Sequence, residues 1–142
     1  MAGEALLVTV RQVMRAFAEG GRFGRSLTKL HAVSASPGRL VCEMGVEKQH
    51  TNSVGTMHGG LTALLVDNVS TLALITTEDG RPGVSVDMNI TYMNAAREGE
   101  TVVITAQVLK QGRTLAFASV DIMNKDTGRL IAQGRHTKHL GS

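Results

Sequence analysis

The run Leu61-Thr62-Ala63-Leu64-Leu65-Val66-Asp67-Asn68-Val69-Ser70-Thr71-Leu72-Ala73-Leu74-Ile75-Thr76-Thr77 decides the fold. Its apolar residues fall on every face of a helix instead of one stripe, the pattern of a helix enclosed by protein. At about 1.5 Å per residue the run spans roughly 25 Å, the length of a long strand or two. His58-Gly59-Gly60 opens it, and Gly80-Arg81-Pro82-Gly83 closes the connection that follows. Such a helix must be wrapped by other elements, and the sequence on either side supplies strands.

Upstream, residues 26 to 35 read as a first strand closed by the turn Ser36-Pro37-Gly38. In residues 39 to 47, Leu40, Cys42, Met44 and Val46 alternate with polar neighbours, a half-buried strand. Downstream, Val84, Val86, Met88, Ile90 and Tyr92 alternate with Ser85, Asp87, Asn89 and Thr91. Further strands are expected over 101–109, 115–123 and 129–137, with turns at Gln111-Gly112 and at Lys125-Asp126-Thr127-Gly128. Short turns between neighbouring strands impose antiparallel pairing, so a four-stranded meander is expected after the helix. At the start of the chain, Val10, Val13, Met14 and Phe17 keep the i, i+3, i+4, i+7 spacing of an amphipathic helix, stopped by Gly20-Gly21. That helix reads as a structural element of residues 1–20. A mitochondrial targeting segment is the alternative, weakened by Glu4, Glu19 and the lack of serine before Ser26. The expectation is one α+β domain over 1–142, a curved antiparallel sheet around one long buried helix.

Composition bounds the function. A chain of 142 residues with 42% apolar and 19% charged residues is a single globular domain, too small to enclose a deep ligand cavity easily. No apolar run reaches the length of about 18 residues that a spanning helix needs. Cys42 is the only cysteine, so no internal disulfide can form; it reads as a small core residue, compatible with a reducing compartment. The net charge of +3 is mild, and Phe17, Phe23, Tyr92 and Phe117 do not interleave with basic residues as a nucleic-acid surface requires. A phosphorylated small molecule can use the same charge.

Asp67 is the most informative residue. A carboxylate in an apolar helix is expensive unless paired, and desolvation turns such a group into a base useful near neutral pH. The plainer reading is that it pairs locally, with Ser70 or Asn68, or faces solvent. At the helix entry, the free N–H groups beyond His58-Gly59-Gly60 and the positive end of the helix dipole suit a developing negative charge, and glycine permits close approach. His58 reads first as a hydrogen-bonded structural histidine, and Asn52 first as a turn residue whose amide could also donate to a carbonyl. Ser85 lies on the polar side of its strand and in no Gly-x-Ser-x-Gly elbow, which argues against a serine nucleophile; its hydroxyl could hold a water. The five histidines lack zinc-site spacing, and neither a phosphate loop nor a dinucleotide fingerprint occurs, so no metal or separate cofactor is expected.

The runs His50-Thr51-Asn52, Met57 to Asn68 and Gly83 to Met93, with Val108 to Phe117 and Gly134 to Gly141, resemble the hotdog-fold thioesterases of the phenylacetyl-CoA type. The resemblance implies a double-hotdog dimer, paired into a homotetramer, that hydrolyses medium- to long-chain fatty acyl-CoA. It implies that Gly59 offers its N–H to the thioester oxygen with help from Asn52. Asp67 of the partner subunit would activate water or attack directly, and Ser85 would orient that water. CoA contacts are implied for His58, for Tyr92-Met93-Asn94-Ala95-Ala96-Arg97, for Lys110-Gln111-Gly112-Arg113-Thr114-Leu115 and for His139. Lys110, Arg113, Arg135, His136, Lys138 and His139 would suit its phosphates, although the last four could equally form a solvated basic end. Cytoplasmic and mitochondrial placement is also implied, as is a phosphatidylcholine transfer protein as partner. Two rival readings are a non-catalytic acyl-CoA sensor regulating a lipid-binding partner and a hotdog dehydratase using His58 and an acid. Release of free CoA separates the first from a hydrolase, and loss of water from a 3-hydroxyacyl thioester without thioester cleavage would reveal the second.

Overall fold

A computed structural model describes residues 2–141. The elements are α1 (Ala2–Glu19), β1 (His31–Ser36), β2 (Arg39–Gly45), α2 (Gly59–Ile75), β3 (Val84–Tyr92), β4 (Thr101–Gln111), β5 (Leu115–Asn124) and β6 (Leu130–His139). Short 3₁₀ turns occupy Phe23–Leu27 and Lys48–His50. The strands form one six-stranded sheet in the order β1-β2-β4-β5-β6-β3, antiparallel throughout.

The sheet encloses α2 as its all-round apolar pattern requires. Leu65, Val66, Val69 and Leu72 are at most 1% exposed and join Leu40, Cys42, Met44, Ile104, Val120 and Ile122 in one core. Burying each Leu or Val side chain stabilises the fold by about 1.5–3 kcal/mol. Sheet and helix come close at Gly134 of β6. A Cβ there would sit 2.8 Å from Val66 Cγ1 and 3.0 Å from Val66 Cγ2, so the glycine sets the distance between β6 and α2.

Three expectations need correction. Residues 26–30 are not strand. Leu27 and Leu30 are both buried, and a spacing of three matches a 3₁₀ turn, not a strand's alternation; Leu30 N donates to Leu27 O at 3.0 Å, and β1 begins at His31. The last four strands are not a simple meander either. Tight turns join β4 to β5 and β5 to β6, but residues 93–100 form a longer connection that crosses the end of the sheet. Its backbone is tied down by Met93 N to Ile131 O, Met57 N to Ala96 O and Gly99 N to Val46 O. That crossing places β3 beside β6 at the far edge. The third correction is a bulge at Val86: Ser85 pairs with Lys138 and Asp87 with Thr137, so Val86 has no partner. An inserted residue reverses the alternation. Ser85 therefore joins Met88 and Ile90 on the helix side of the sheet, not the polar side.

The stripe of α1 is buried only in part, with Val13 half-buried between the buried Val10 and Met14. Val10 and Met14 are buried, Phe17 is 37% exposed, and Arg11 Nη2 donates to Ala32 O at 3.0 Å, tying the helix to edge strand β1. At the other edge, β3 leaves Val84 67% and Val86 58% exposed. No helix among the described residues is long and apolar enough to cross a membrane.

Candidate active site

Two groups of polar residues stand at different heights along α2. The first surrounds its entry. His58 is the N-cap, with extended backbone, and its Nδ1 accepts from Gly60 N at 2.8 Å. Its carbonyl takes the N–H groups of Leu61 and Thr62. Gly59, the first helical residue, has no acceptor within the helix for its N–H. Tyr92 OH donates to Gly59 O at 2.8 Å, and a Cβ on Gly59 would lie 3.6 Å from the Tyr92 ring, an ordinary contact. Packing alone would accept alanine there, so the bare backbone leaves room for a ligand's approach. Asn52 does serve as a turn residue: its Oδ1 accepts from Val54 N and Thr56 N, both at 3.1 Å, and its Nδ2 donates to Thr56 Oγ1 at 2.9 Å. One amide hydrogen is left over. Behind this loop, buried His50 receives Glu47 N on Nδ1 at 2.9 Å, and burial pushes its pKa down.

The second group lies at mid-helix. Asp67 is not immersed in the core: its side chain keeps 40% exposure and faces a cleft. Its Oδ1 is 3.9 Å from Nε2 of His136, a ring 1% exposed. Ser85 Oγ meets the same Nε2 at 2.7 Å, and Ser70 Oγ meets Nδ1 at 2.7 Å. Ser70 donates its single proton to Asp67 O at 3.0 Å. Assigned from this network, the ring proton sits on Nδ1 and is donated to Ser70, which leaves Nε2 to accept from Ser85. The Ser85 oxygen keeps its lone pairs for a water. Burial first, then the charge of Lys138, lowers the pKa of His136, with Asp67 and Asp87 opposing; the ring is neutral at pH 7. Lys138, 4% exposed, donates to Thr71 Oγ1 at 2.7 Å, and burial lowers its pKa against the pull of Asp67.

His136 and Lys138 are thus turned inward toward Asp67, not outward toward a phosphate, while Arg135 and His139 of the same strand point away. Sequence reasoning missed this role and that of Thr71; it named Ser70 as a local partner of Asp67, and the Ser70 hydroxyl bonds the Asp67 carbonyl, not its carboxylate. In Ala132 to His139 both faces of the strand end in polar residues, so alternation does not mark the inner one; only the register with β3 and β5 does.

The cleft beside Asp67 has a volume of about 490 Å³ and is lined by Ala16, Phe17, Arg22, Phe23, Leu64, Asn68, Thr71 and Lys138. Phe23 and Leu64 also line a second cleft of about 250 Å³ that reaches His58, Gly60 and Leu61. Together they form an apolar trough along α2. The two segments expected to meet CoA lie at opposite ends of the sheet. Tyr92 and the residues after it adjoin the α2 entry. Asn94 Nδ2 donates to Leu130 O, Ala96 is buried, and Arg97 N donates to Glu100 Oε1. Lys110 to Leu115 form the β4–β5 hairpin, closed by Gly112 N to Leu115 O at 2.7 Å, next to His139 and the start of β3. The length of β3, about 27 Å at 3.4 Å per residue, separates the two groups.

The family profile of the thioesterase superfamily matches residues 54–131, from the loop after Asn52 to the start of β6. The chain belongs to the thioesterase superfamily. It is 64% identical to acyl-coenzyme A thioesterase 13 of Homo sapiens over 134 residues, 94% of this chain and 96% of that one. The crystal structure of zebra fish thioesterase superfamily member 2 superposes with a TM-score of 0.93 at 66% identity, covering 95% of this chain and 98% of that chain. A hypothetical thioesterase from Streptococcus pneumoniae, solved with coenzyme A, matches with a TM-score of 0.75 at 27% identity, covering 80% of this chain and 86% of that one. The fold is the hotdog fold, a sheet wrapped around one helix, as the buried run 61–77 requires. Within this thioesterase, the profile spans the helix entry, Asp67 and Ser85, and stops short of His136 and Lys138.

Proposed function

We propose that the chain is an acyl-CoA thioesterase, acting on medium- to long-chain fatty acyl-CoA at a site completed by two subunits. One observation carries the two-subunit reading. Gly59 and Asp67 are eight residues apart on one helix, about 12 Å along its axis. An oxyanion donor and a base that serve one carbonyl must each come within hydrogen-bonding reach of it or its water, which a single α2 cannot arrange. A second α2 running the other way supplies the missing half. The exposed apolar edge of β3 offers the pairing surface, since an unpaired edge strand invites another.

In this reading the Gly59 N–H and the spare Asn52 amide hydrogen hold the thioester oxygen. Asp67 of the other subunit takes a proton from water, and Ser85, its own proton committed to His136, accepts from the same water and aims it. The hydroxide adds to the carbonyl carbon, the C–S bond breaks, the sulfur leaves with a proton, and the products are fatty acid and CoA. No separate cofactor is invoked. The trough past Phe17, Phe23 and Leu64 suits an acyl chain. Lys110, Arg113 and His139 from one end and Arg97 from the other suit the CoA phosphates once two subunits bring those ends together. The names of the relatives, one an acyl-coenzyme A thioesterase and one crystallised with coenzyme A, support this substrate class.

Palmitoyl-CoA turnover tests the assignment. Asp67→Asn should lose most CoA release while staying folded and dimeric, and Ser85→Ala and Asn52→Ala about 10- to 1000-fold. Wild-type turnover by Asp67→Asn would overturn the base. We extend the proposal to a dimer of dimers, which sedimentation equilibrium would reveal as four chains. Cytoplasmic and mitochondrial placement and a phosphatidylcholine transfer protein partner rest on the family resemblance; cell fractionation and co-purification test them.

A further inference from the structure

Two inward side chains of β6 reach the same peptide group of α2. Lys138 Nζ donates to Thr71 Oγ1 at 2.7 Å, and Thr71 Oγ1 donates to the Asp67 carbonyl oxygen at 2.8 Å. His136 Nδ1 meets Ser70 Oγ at 2.7 Å, and Ser70 Oγ donates to that same oxygen at 3.0 Å. Hydroxyls often bond back to the carbonyl three or four residues earlier in a helix, and that alone would mean little. Here each hydroxyl is backed by a buried side chain of the sheet, so the turn that carries Asp67 is gripped from two sides.

The lysine leg is the unexpected one. A buried ammonium is costly unless compensated, and a methionine of similar length would pack in its place without that cost. Thr71 satisfies one of its three donors, and Lys138 forms no ion pair among the described residues. It lines the Asp67 cleft with Phe17, Phe23 and Leu64, and the carboxylate whose charge it feels is Asp67. An acyl chain filling that cleft strips water from the carboxylate, and a charge without water is costly unless an opposite charge stands near.

We propose that Lys138, braced by Thr71, is a positioning residue of the thioesterase reaction: it fixes the helix turn bearing Asp67 and supplies the counter-charge that a carboxylate needs beside an acyl chain. The proposal rests on Asp67 being the base. It predicts that Lys138 and Thr71 act as one chain.

The test is palmitoyl-CoA hydrolysis by the assembled protein carrying Lys138→Met, Lys138→Arg, Thr71→Val, the Lys138→Met/Thr71→Val pair, and Asp67→Asn. Lys138→Met should lower kcat by about 10- to 100-fold with KM within about twofold of wild type, as expected for a lost transition-state contribution. Lys138→Arg should recover part of the loss. The double variant should be no worse than Lys138→Met, because members of one network do not add. A kcat for Lys138→Met within about twofold of wild type, or losses that multiply in the double variant, would overturn the proposal. Should Lys138→Met fail to fold, Thr71→Val decides alone. It keeps shape and lysine and drops only the hydroxyl, and an unchanged kcat would sink the idea. An inactive Asp67→Asn beside an unaffected Lys138→Met rejects the lysine role only, whereas a fully active Asp67→Asn rejects the base as well.

Discussion

Gly134→Ala is a one-carbon test of how the fold sets the site. The added Cβ would lie 2.8 and 3.0 Å from the two Val66 methyls and 3.4 Å from Ile90 Cγ1. Val66 is fully buried and β-branched, so in a helix it holds one rotamer and cannot swing aside. Either α2 shifts from β6 or the contact is compressed, and overpacking of this kind costs about 1–3 kcal/mol. For a chain of this size each kcal/mol is worth about 4 °C, so Tm should fall by roughly 4–12 °C, measured by thermal unfolding at fixed protomer concentration. The clash has a named partner. Val66→Ala alone should destabilise by leaving a cavity, yet in combination with Gly134→Ala the two losses should fall short of additivity by about 1 kcal/mol or more. Because Val66 precedes Asp67, kcat of Gly134→Ala should fall as well. A Tm within about 1 °C of wild type, or strictly additive losses, would refute the claim that this glycine spaces helix from sheet.

Two further expectations follow from buried titrating groups. The Cys42 thiol, fully buried in the core, has its pKa pushed up to about 12 by burial. At pH 8 its reactive thiolate is then on the order of one part in ten thousand, so iodoacetamide should label it only after unfolding, and labelling of the folded protein, read by intact mass, would contradict its place in the core. Burial holds His136 and His50 below the ordinary histidine pKa, so as pH falls below about 6.5 the unfolded chain takes up protons before the folded one does. Stability should therefore decline from pH 7 to pH 5, by at most about 1.4 kcal/mol per pH unit for each histidine. Urea unfolding should show a shallower decline in His136→Gln, and an unchanged slope would mean that His136 is not held neutral by the fold.

The central helix was legible because apolar residues on nearly every side mark a buried helix; the strip through Asp67 and Asn68 opens on the cleft. The alternating strands β2 and β5, and β4 as far as Ala106, were legible for the matching reason, with burial on every second residue. The partnership of β3 was not. Its sequence alternates cleanly, but which strand it joins depends on where residues 93–100 cross, and its register on a bulge that no residue type announces. That bulge decides which way Ser85 points. The helix-entry glycines and Asp67 stood out because each is costly or permissive in a helix. His136 and Lys138 were read outward, toward a phosphate, as basic residues usually are; only the pairing of β6 between β5 and β3 turns them inward.

The central claim is that one subunit's Asp67 works with the other's Gly59, and mixing two dead variants tests it most directly. Asp67→Asn and Gly59→Val each break both sites of their own dimer. In a hybrid dimer the Gly59→Val chain supplies an intact Asp67 and the Asp67→Asn chain an intact Gly59, restoring one site of two. Random reassembly makes half the dimers hybrid, so palmitoyl-CoA hydrolysis should return to about a quarter of the wild-type rate. If exchange of subunits is verified by mass spectrometry and the mixture stays as inactive as its parents, the site does not span two subunits.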